Sequence, residues 1–434
     1  MGALAEKKQG DLAARLAAMD APARGGAWLE AARAEARARL MAMGLPAARD
    51  EYWRFTRPAS LNAPTPEPAA PFDDGGEAPM FGEVERLRIV FTDGVFDAAA
   101  SDPLELAGVE IETLEEAGSR DIHWARDLYG VLETRGHSPV ERPFAALNTA
   151  FAGAGVVIRV TGRAARPVNL IYRHESDTSD AILHHLVKLE PGADLTLLEN
   201  GPGAARLSKV LEVDLGAGAR FHHVRTQGRD PERTAVTHVF ARLAEGATFK
   251  SFTLTVNGRL TRNESFVELA GAGAVAHLAG AALGDGAELP FHHDDTVFVT
   301  HSAPECESRQ VFKKVLRNGA VGVFQGKILV REGAQKTDGY QKSQALMLDD
   351  DSTFLAKPEL EIYADDVACS HGSTSGAIDE EALFYLRSRG VPERQAANLL
   401  VLAFLADAID EIEDAAIADD IRTRLEGWVK RHRG

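Results

Sequence analysis

Cysteine is nearly absent from this sequence: Cys306 and Cys369 are the only two among 434 residues. They lie outside any C-x-x-C pair, so the sequence excludes a disulfide framework and a self-contained four-cysteine cluster site. The most apolar stretch, residues 396–406, is too short to span a bilayer, and the first eight residues lack the apolar core of a signal peptide. We therefore expect a soluble, cytoplasmic protein in a reducing compartment.

Positive charge is also scarce, since 48 lysines and arginines stand against 65 acidic residues and leave a net charge of −17. Such a chain repels nucleic acid and anionic membrane surfaces, so neither is an expected partner.

Catalytic motifs are missing as well. Residues 322–328 lack the spacing and the final Ser or Thr of a phosphate-binding loop, and no G-x-S-x-G occurs. We expect a protein that is not an enzyme and binds no nucleotide itself.

Helix-forming residues are concentrated at the two ends of the chain. Trp28 to Met43 is rich in Ala, Arg, Glu and Leu and is stopped by Gly44, while residues 58–79 carry six prolines and predict an extended linker. Near the other end, Asp379 is a predicted N-cap, and helices are expected over 380–389, 393–412 and 415–432. The predicted divisions are an N-terminal helical region 1–57, a proline-rich linker 58–80, a mixed region 81–153, a β-helix core 154–375 and a C-terminal helical domain 376–434.

A Gly-Ala pair recurs through the middle of the chain. It occurs at 192, 218, 246 and 273, with spacings of 26, 28 and 27 residues, and again at 319 and 333. Most pairs lead into a short run of β-forming residues, some with period-two alternation. A strand-rich repeat of this length favours a β-solenoid, in which each coil stacks on the next. A β-sandwich with evenly spaced strands is the competing interpretation.

Fourteen histidines raise the question of a metal site. Three adjacent pairs, beginning at 184, 222 and 292, cannot chelate one ion from a regular strand, because neighbouring side chains point to opposite faces. One histidine of each pair is expected to pack inward and the other to face solvent. The alternative is a β-helix or cupin-like metalloenzyme that uses a cluster formed by His292, His293, Asp294 and His301.

A second constellation closes the strand-rich region. Cys369 and His371 are two residues apart, so they share a face in an extended strand, and Asp365 has the same parity. A thiolate and an imidazole suit iron or zinc, and a carboxylate suits ferrous iron. These donors do not complete a tetrahedral site. Either the metal site is labile, or another chain supplies the remaining ligands. The alternative is a structural role, in which Cys369 is a buried thiol and His371 is a hydrogen-bonded histidine at a domain junction.

The residues around this constellation carry a family resemblance. KPELEIYADDVACSHG at 357–372 and DEEALFYLRSRGVP at 379–392 resemble the signature of the SufB/SufD family, scaffold proteins of the SUF system of iron–sulfur cluster assembly. Shorter segments agree with it: GLPAARDEYWRFT at 44–56, SRQ at 308–310, VFQGKI at 323–328 and AQKTD at 334–338. Because this chain has Cys-Ser-His at 369–371 where SufB has Glu-His-Glu, the resemblance is to the SufD branch.

The resemblance implies a right-handed parallel β-helix flanked by N- and C-terminal helical domains. It implies a heterodimer with SufB and docking of the SufC ATPase on the C-terminal helical domain, with a homodimer plausible when the chain is alone. A transient iron or iron–sulfur cluster at the SufB interface would use His371, with weaker roles for Cys369 and Asp365. The residues expected to face SufC are Phe384, Tyr385, Leu399, Leu400 and Phe404.

Overall fold

A computed structural model describes residues 2–71, 78–228 and 230–431 of the chain. Twenty strands dominate it. They are β1 (Leu87–Thr92), β2 (Val95–Phe96), β3 (Glu105–Leu106), β4 (Val109–Thr113), β5 (Val156–Val160), β6 (Val168–Arg173), β7 (Asp180–Leu189), β8 (Asp194–Asn200), β9 (Arg206–Leu215), β10 (Arg220–Gly228), β11 (Thr234–Leu243), β12 (Thr248–Val256), β13 (Leu260–Leu269), β14 (Val275–Asp285), β15 (His292–His301), β16 (Glu307–Arg317), β17 (Val321–Val330), β18 (Thr337–Met347), β19 (Thr353–Ile362) and β20 (Val367–Gly376).

The helices lie before and after these strands, as the sequence predicts, and also between β4 and β5. They are α1 (Ala3–Ala17), α2 (Ala27–Met43), α3 (Ala59–Asn62), α4 (Leu114–Ser119), α5 (Val131–Gly136), α6 (Pro143–Phe151), α7 (Glu380–Ser388), α8 (Glu393–Ile409) and α9 (Ala415–Arg431), with short 3-10 turns at Glu51–Trp53 and Trp124–Asp127. None of the helices within the described residues combines the length and apolarity needed to cross a bilayer.

The strands form a β-solenoid of about eight turns. From β5 onward the odd-numbered strands pair in parallel in one ten-stranded sheet, and the even-numbered strands from β6 pair in parallel in another. Antiparallel pairs occur at the first end, where β1 pairs with β2 and β4 with both β3 and β5. The solenoid that the Gly-Ala repeat predicts is confirmed, and the sandwich interpretation is wrong. Strands β1–β4 join the sheets although they precede residue 154, the predicted start of the β-helix.

The Gly-Ala pairs form the corners at which the chain passes between the sheets. Gly192, Gly218, Gly246, Gly273 and Gly319 all have positive φ, from 63° to 75°. Such angles favour glycine because a Cβ clashes with the backbone there. The alanine that follows each of these glycines is fully buried, and so is Ala334 after Gly333. The five corners with positive φ therefore favour a glycine followed by a small apolar residue, which explains why the pair repeats there.

Both outer faces of the solenoid are covered by helices. Leu29 of α2 and Tyr129 pack on the odd-numbered sheet through Leu186, Val210 and Phe240. On the even-numbered sheet, side chains of α8 and α9 pack against those of β8, β10, β12, β14 and β16. The outward-facing residues of most strands are consequently as buried as the inward-facing ones.

This cover overturns the expectation that one histidine of each adjacent pair faces solvent. His184 and His185 are both fully buried, and His222 and His223 are 8% and 0% exposed. The ring of His184 packs 4.3 Å from that of Tyr129, measured between centroids. An alternating pattern distinguishes two faces of a strand, but it does not show whether the outer face meets water or a helix.

Three other local predictions need correction. An additional helix, α1, precedes the predicted one at 28–43, and α3 lies within the predicted linker 58–80, of which residues 72–77 lie outside the described residues. The apolar spacing over 393–412 predicts one helical stripe formed by Ala396, Leu399, Leu400, Ala403, Phe404 and Ala406. The structure instead buries Ala396, Val401, Leu405, Ala408 and Ile409 of α8, and it leaves Leu399 and Ala403 exposed. The solenoid contacts the helix face that carries Val401 and Leu405. His432, the predicted end of the last helix, lies outside the described residues.

Candidate functional site

In the part of the chain that the structure describes, the last coil of the solenoid is formed by β19 and β20, and no coil lies above it. Among the described strands, β20 is outermost in its sheet, next to β18, and β19 is outermost in the other sheet, next to β17. Along β20, only Val367 and Cys369 are even partly buried, and the other eight residues are exposed. The described chain therefore ends its stack on a row of unpaired backbone groups, which is a surface suited to association.

Cys369 and His371 lie on one face of β20, as their spacing predicts. In the parallel register, Cys369 pairs with Gly339 and His371 with Gln341. Gln341 is fully buried, and Ser343, two residues further, meets Ser373 of β20 with 2.8 Å between their hydroxyl oxygens. This face is therefore the one that lines the solenoid interior. His371 is exposed because no further coil covers it.

The two side chains differ in their surroundings. Cys369 packs beside Ile328 and Leu360, and burial raises the pKa of its thiol, with a further contribution from the charge of Asp338. The thiol form is therefore favoured at neutral pH, which weakens Cys369 as a metal ligand in the uncovered chain. Among the described residues, the imidazole of His371 has no side-chain partner, so its ring nitrogens are accessible to a ligand from outside.

Asp365 is not part of this face. It lies exposed in the bend between β19 and β20, so the parity that relates Cys369 to His371 does not extend to it. Within residues 2–71, 78–228 and 230–431, no group of three or more His, Cys, Asp and Glu side chains is arranged to hold a metal ion. The donors at the open end therefore do not form a complete metal site among the described residues.

The alternative cluster at residues 292–301 is dispersed. His292 bonds to Thr56 on the outer face, at 2.9 Å, whereas His293 accepts a 2.7 Å hydrogen bond from Lys314 in the interior. Asp294 is held by Thr56 and Arg262 on the outer side, and His301 bonds to Ser308. Because adjacent residues of β15 point to opposite sides of the sheet, the structure does not bring these four donors together.

The helical residues predicted to face a partner divide into two groups. Phe384 and Tyr385 of α7 are 73% and 57% exposed, and Leu399 of α8 is 45% exposed. In contrast, Leu400 is half-buried, and Phe404 is half-buried with its ring centroid 4.6 Å from the Nζ of Lys313. Beside Leu399, a groove of about 490 Å³ between α8 and α9 is lined by Leu402 and Val429, among others.

Sequence reasoning missed a group of charged side chains inside the solenoid. Glu199 and Lys209 form a fully buried ion pair, and Glu199 also accepts hydrogen bonds from Tyr172 and His223. Burial lowers the pKa of Lys209 to about 8, against the charge of Glu199, which raises it. The sequence contained one indication of this pair. Glu199 follows Leu195 and Leu197 at intervals of two residues along β8, so it lies on the same, inward-facing side of the strand.

Comparison with known proteins connects this geometry to a family. Residues 172–404 match the family model described as "SUF system FeS cluster assembly, SufBD core domain". The chain is 28% identical over 401 residues to the iron–sulfur cluster assembly protein SufD of Escherichia coli, covering 89% of this chain and 90% of that protein. It is 27% identical to a SufBD family protein of Synechocystis, covering 88% and 87%, and 27% identical to SufD of Bacillus subtilis, covering 67% and 68%.

Proposed function

Because this chain belongs to the SufBD family of the SUF system and is a SufD-type iron–sulfur cluster assembly protein, we propose that it is the scaffold subunit that pairs with SufB and SufC. In this proposal the chain is not itself an enzyme and acts in the cytoplasm. Iron, or a nascent cluster, is a transient cargo at the SufB interface. The chain binds no nucleotide, so ATP hydrolysis is supplied by SufC.

The observation that carries the proposal is the uncovered coil at the end of the solenoid. Strand β20 presents unpaired backbone groups together with two soft metal donors, Cys369 and His371, and a second β-solenoid chain could continue the stack there. SufB would then complete the ligand set. A site whose ligands are divided between two chains can bind iron during assembly and release the cluster when the interface moves.

His371 is the leading ligand in this proposal, with a weaker role for Cys369 and the weakest for Asp365. His371 is exposed at the uncovered end and its imidazole has no side-chain partner among the described residues. Cys369 is partly covered and its thiol pKa is raised. Asp365 lies exposed in the preceding bend. We further propose that the solenoid is right-handed, because parallel strands joined through a crossover are right-handed in nearly all proteins.

The C-terminal helices are the proposed docking site for SufC. Phe384, Tyr385 and Leu399 expose apolar surface on α7 and α8, and aromatic residues are enriched at protein–protein interfaces. Helix α8 also contacts the solenoid through Lys313, which bonds to Asp407 at 3.0 Å. Since Lys313 lies in β16, two strands from β20, closure of SufC on these helices could be transmitted to residues 358–372.

The proposal is tested by co-expressing the chain with SufB and SufC and replacing His371 by Ala. We expect an intact complex of unchanged composition with less iron and acid-labile sulfide. The matched control is Ser370→Ala, because Ser370 is equally exposed on the same strand but points to the opposite face. An unchanged cluster yield in the His371→Ala complex would reject the ligand role and leave a purely architectural partner of SufB.

A further inference from the structure

A ladder of glutamine side chains leads through the solenoid interior to His371. The parallel register places Gln310 of β16, Gln341 of β18 and His371 of β20 in neighbouring positions on one face. The side chains of Gln310 and Gln341 are both fully buried, and Nε2 of Gln341 donates a 2.9 Å hydrogen bond to Oε1 of Gln310. His371 is thus the third and outermost member of a polar column.

The hydrogen bonding of this column is incomplete at both ends, because Nε2 of Gln310 has no hydrogen-bond partner at the inner end and one acceptor is unpaired at the outer end. Oε1 of Gln341 is buried and has no hydrogen-bond partner, although its amide nitrogen is engaged. A buried acceptor left without a donor destabilises the folded chain, so such groups usually have a partner in the working state of a protein. The position beside Gln341 on β20 belongs to His371, and neighbouring strands are about 4.8 Å apart.

We infer that Gln341 is a positioning residue for His371, accepting the N–H of one ring nitrogen at Oε1 so that the other ring nitrogen offers its lone pair to the open end. The inference rests on the proposed function, in which His371 is an iron ligand. Metal-binding histidines commonly donate their second ring N–H to an acceptor that orients the ring and sets its tautomer. The contact would form as the imidazole is covered and pressed against the column.

The space around Gln341 supports a dedicated role for its amide. A Cβ placed on Gly326, across the interior on β17, would come within 2.3 Å of Nε2 and 2.6 Å of Cδ of Gln341. Gly326 is therefore the residue that leaves room for this amide. In the structure the bond to Gln310 uses Nε2 of Gln341, which leaves the carbonyl oxygen as the unpartnered end of this amide.

The test compares Gln341→Met, which keeps the length of the side chain but removes the acceptor, with Gln341→Glu, which keeps an acceptor. The first readout is the tautomer of His371 in the complex with SufB and SufC, where the imidazole is covered, measured by NMR with ¹⁵N-labelled histidine in this chain alone and assigned with His371→Ala. We expect one dominant tautomer in the unmodified chain and in Gln341→Glu, and a mixture in Gln341→Met. Equal tautomer populations in all three chains would overturn the inference.

The second readout is iron binding by the complex with SufB and SufC. Loss of an outer-shell partner typically lowers metal affinity by about 10- to 100-fold, so Gln341→Met should weaken iron binding by about tenfold and Gln341→Glu should restore it. If His371→Ala lowers cluster yield while Gln341→Met changes neither readout, the proposed function stands and the inference fails. If His371→Ala has no effect on cluster yield, the proposed function itself fails.

A variant outside β18 tests whether the effect of Gln341→Met comes from loss of the acceptor or from a folding defect. Gly326→Ala would push the Gln341 amide aside from the opposite sheet and would also meet the ring of Phe324, so Phe324→Leu is combined with it to make room. The double variant should produce the same tautomer mixture at His371 in a chain whose thermal unfolding remains cooperative. A tautomer unaffected by the double variant, with the amide displaced, would count against the role of Gln341.

Discussion

The hydroxyl of Tyr52 donates a 2.5 Å hydrogen bond to Oε2 of Glu359, 307 residues further along the chain. Glu359 lies on β19, in the coil that has a neighbour on one side only. Tyr52 is itself buried, and its ring centroid lies 4.1 Å from the Nζ of Lys357 on the same strand. The segment after α2 therefore fastens the uncovered end of the solenoid to the N-terminal helices.

Removing this hydroxyl should loosen the last coil. Tyr52→Phe leaves the aromatic packing but deprives Glu359 of a buried donor, so we expect the free energy of unfolding to fall by about 1–2 kcal/mol. Urea unfolding measures the change, and hydrogen exchange should accelerate most in β19. Tyr363→Phe is the control, because Tyr363 makes a bond of the same length to Glu361 but is 61% exposed. An equal effect of both substitutions would refute the fastening role of Tyr52.

The buried pair of Glu199 and Lys209 should be sensitive to loss of one partner. Lys209→Met would leave the carboxylate of Glu199 buried without its cation, which typically costs about 3–5 kcal/mol. Chemical denaturation should show the loss, and the double variant with Glu199→Gln should recover a large part of it because no charge then remains uncompensated. A double variant no more stable than Lys209→Met alone would show that the ion pair is not the source of the loss.

Stability should fall on the acidic side because several buried histidines resist protonation. Burial lowers the pKa of His301 from 6.5 to about 4. Between these values the unfolded chain binds a proton at His301 that the folded chain does not, so unfolding becomes easier as the pH falls, by up to ~1.4 kcal/mol per pH unit. His301→Gln should reduce this slope, measured by urea unfolding at pH 4.5, 5.5 and 6.5.

His277 provides a control, because its pKa is shifted in the direction opposite to that of His301. Burial lowers its pKa, but hydrogen bonds to Glu411 and Glu307 outweigh burial and raise the pKa above 6.5. Its contribution to stability is therefore present below pH 6.5 and is lost as the pH rises through the raised value. His277→Gln should destabilise the protein at pH 6 and have little effect at pH 9. The same pH dependence in His277→Gln and His301→Gln would contradict both assignments.

Substitutions at two Gly-Ala corners should show whether glycine is required there by backbone strain at positive φ or by lack of space for a side chain. At Gly218, where φ is 65°, a Cβ would meet nothing within 4 Å, so Gly218→Ala should cost about 1 kcal/mol through backbone strain alone. Gly333 has equal space but no positive φ. Gly333→Ala should therefore be neutral or slightly stabilising. Thermal unfolding of the two variants gives the comparison, and equal losses would show that φ is not what selects glycine at the corners.

If SufC docks on α7 and α8, a substitution there should weaken binding of SufC but not of SufB. Phe384→Ser removes the most exposed aromatic side chain of α7 and should weaken SufC binding by about tenfold or more, since aromatic residues dominate the energy of many interfaces. Pull-down with tagged SufC and SufB should show loss of SufC alone. Leu4→Ser, on the exposed face of α1, is the control. Retention of SufC at full affinity would place its docking site elsewhere.

Parts of this structure could be predicted from the sequence because they depend on local backbone chemistry. The corners need glycine at positive φ, and Asp379 caps α7 by accepting hydrogen bonds from Glu381 N and Ala382 N. The common face of Cys369 and His371 follows from the two-residue period of an extended strand. Each of these rules acts within a few residues, so the sequence alone was sufficient for the solenoid, the bounds of α7 and the pairing of the two donors.

Other features depended on segments distant in the chain. The outward histidines are buried because helices from both ends cover the sheets, and Asp365 leaves the donor face because the chain bends before β20. His371 is exposed because the stack ends at β20, whereas Gln341, one strand earlier on the same face, is fully buried. Burial is set by whatever packs against a residue, which periodicity does not encode, and only the tertiary structure showed which coil remains uncovered.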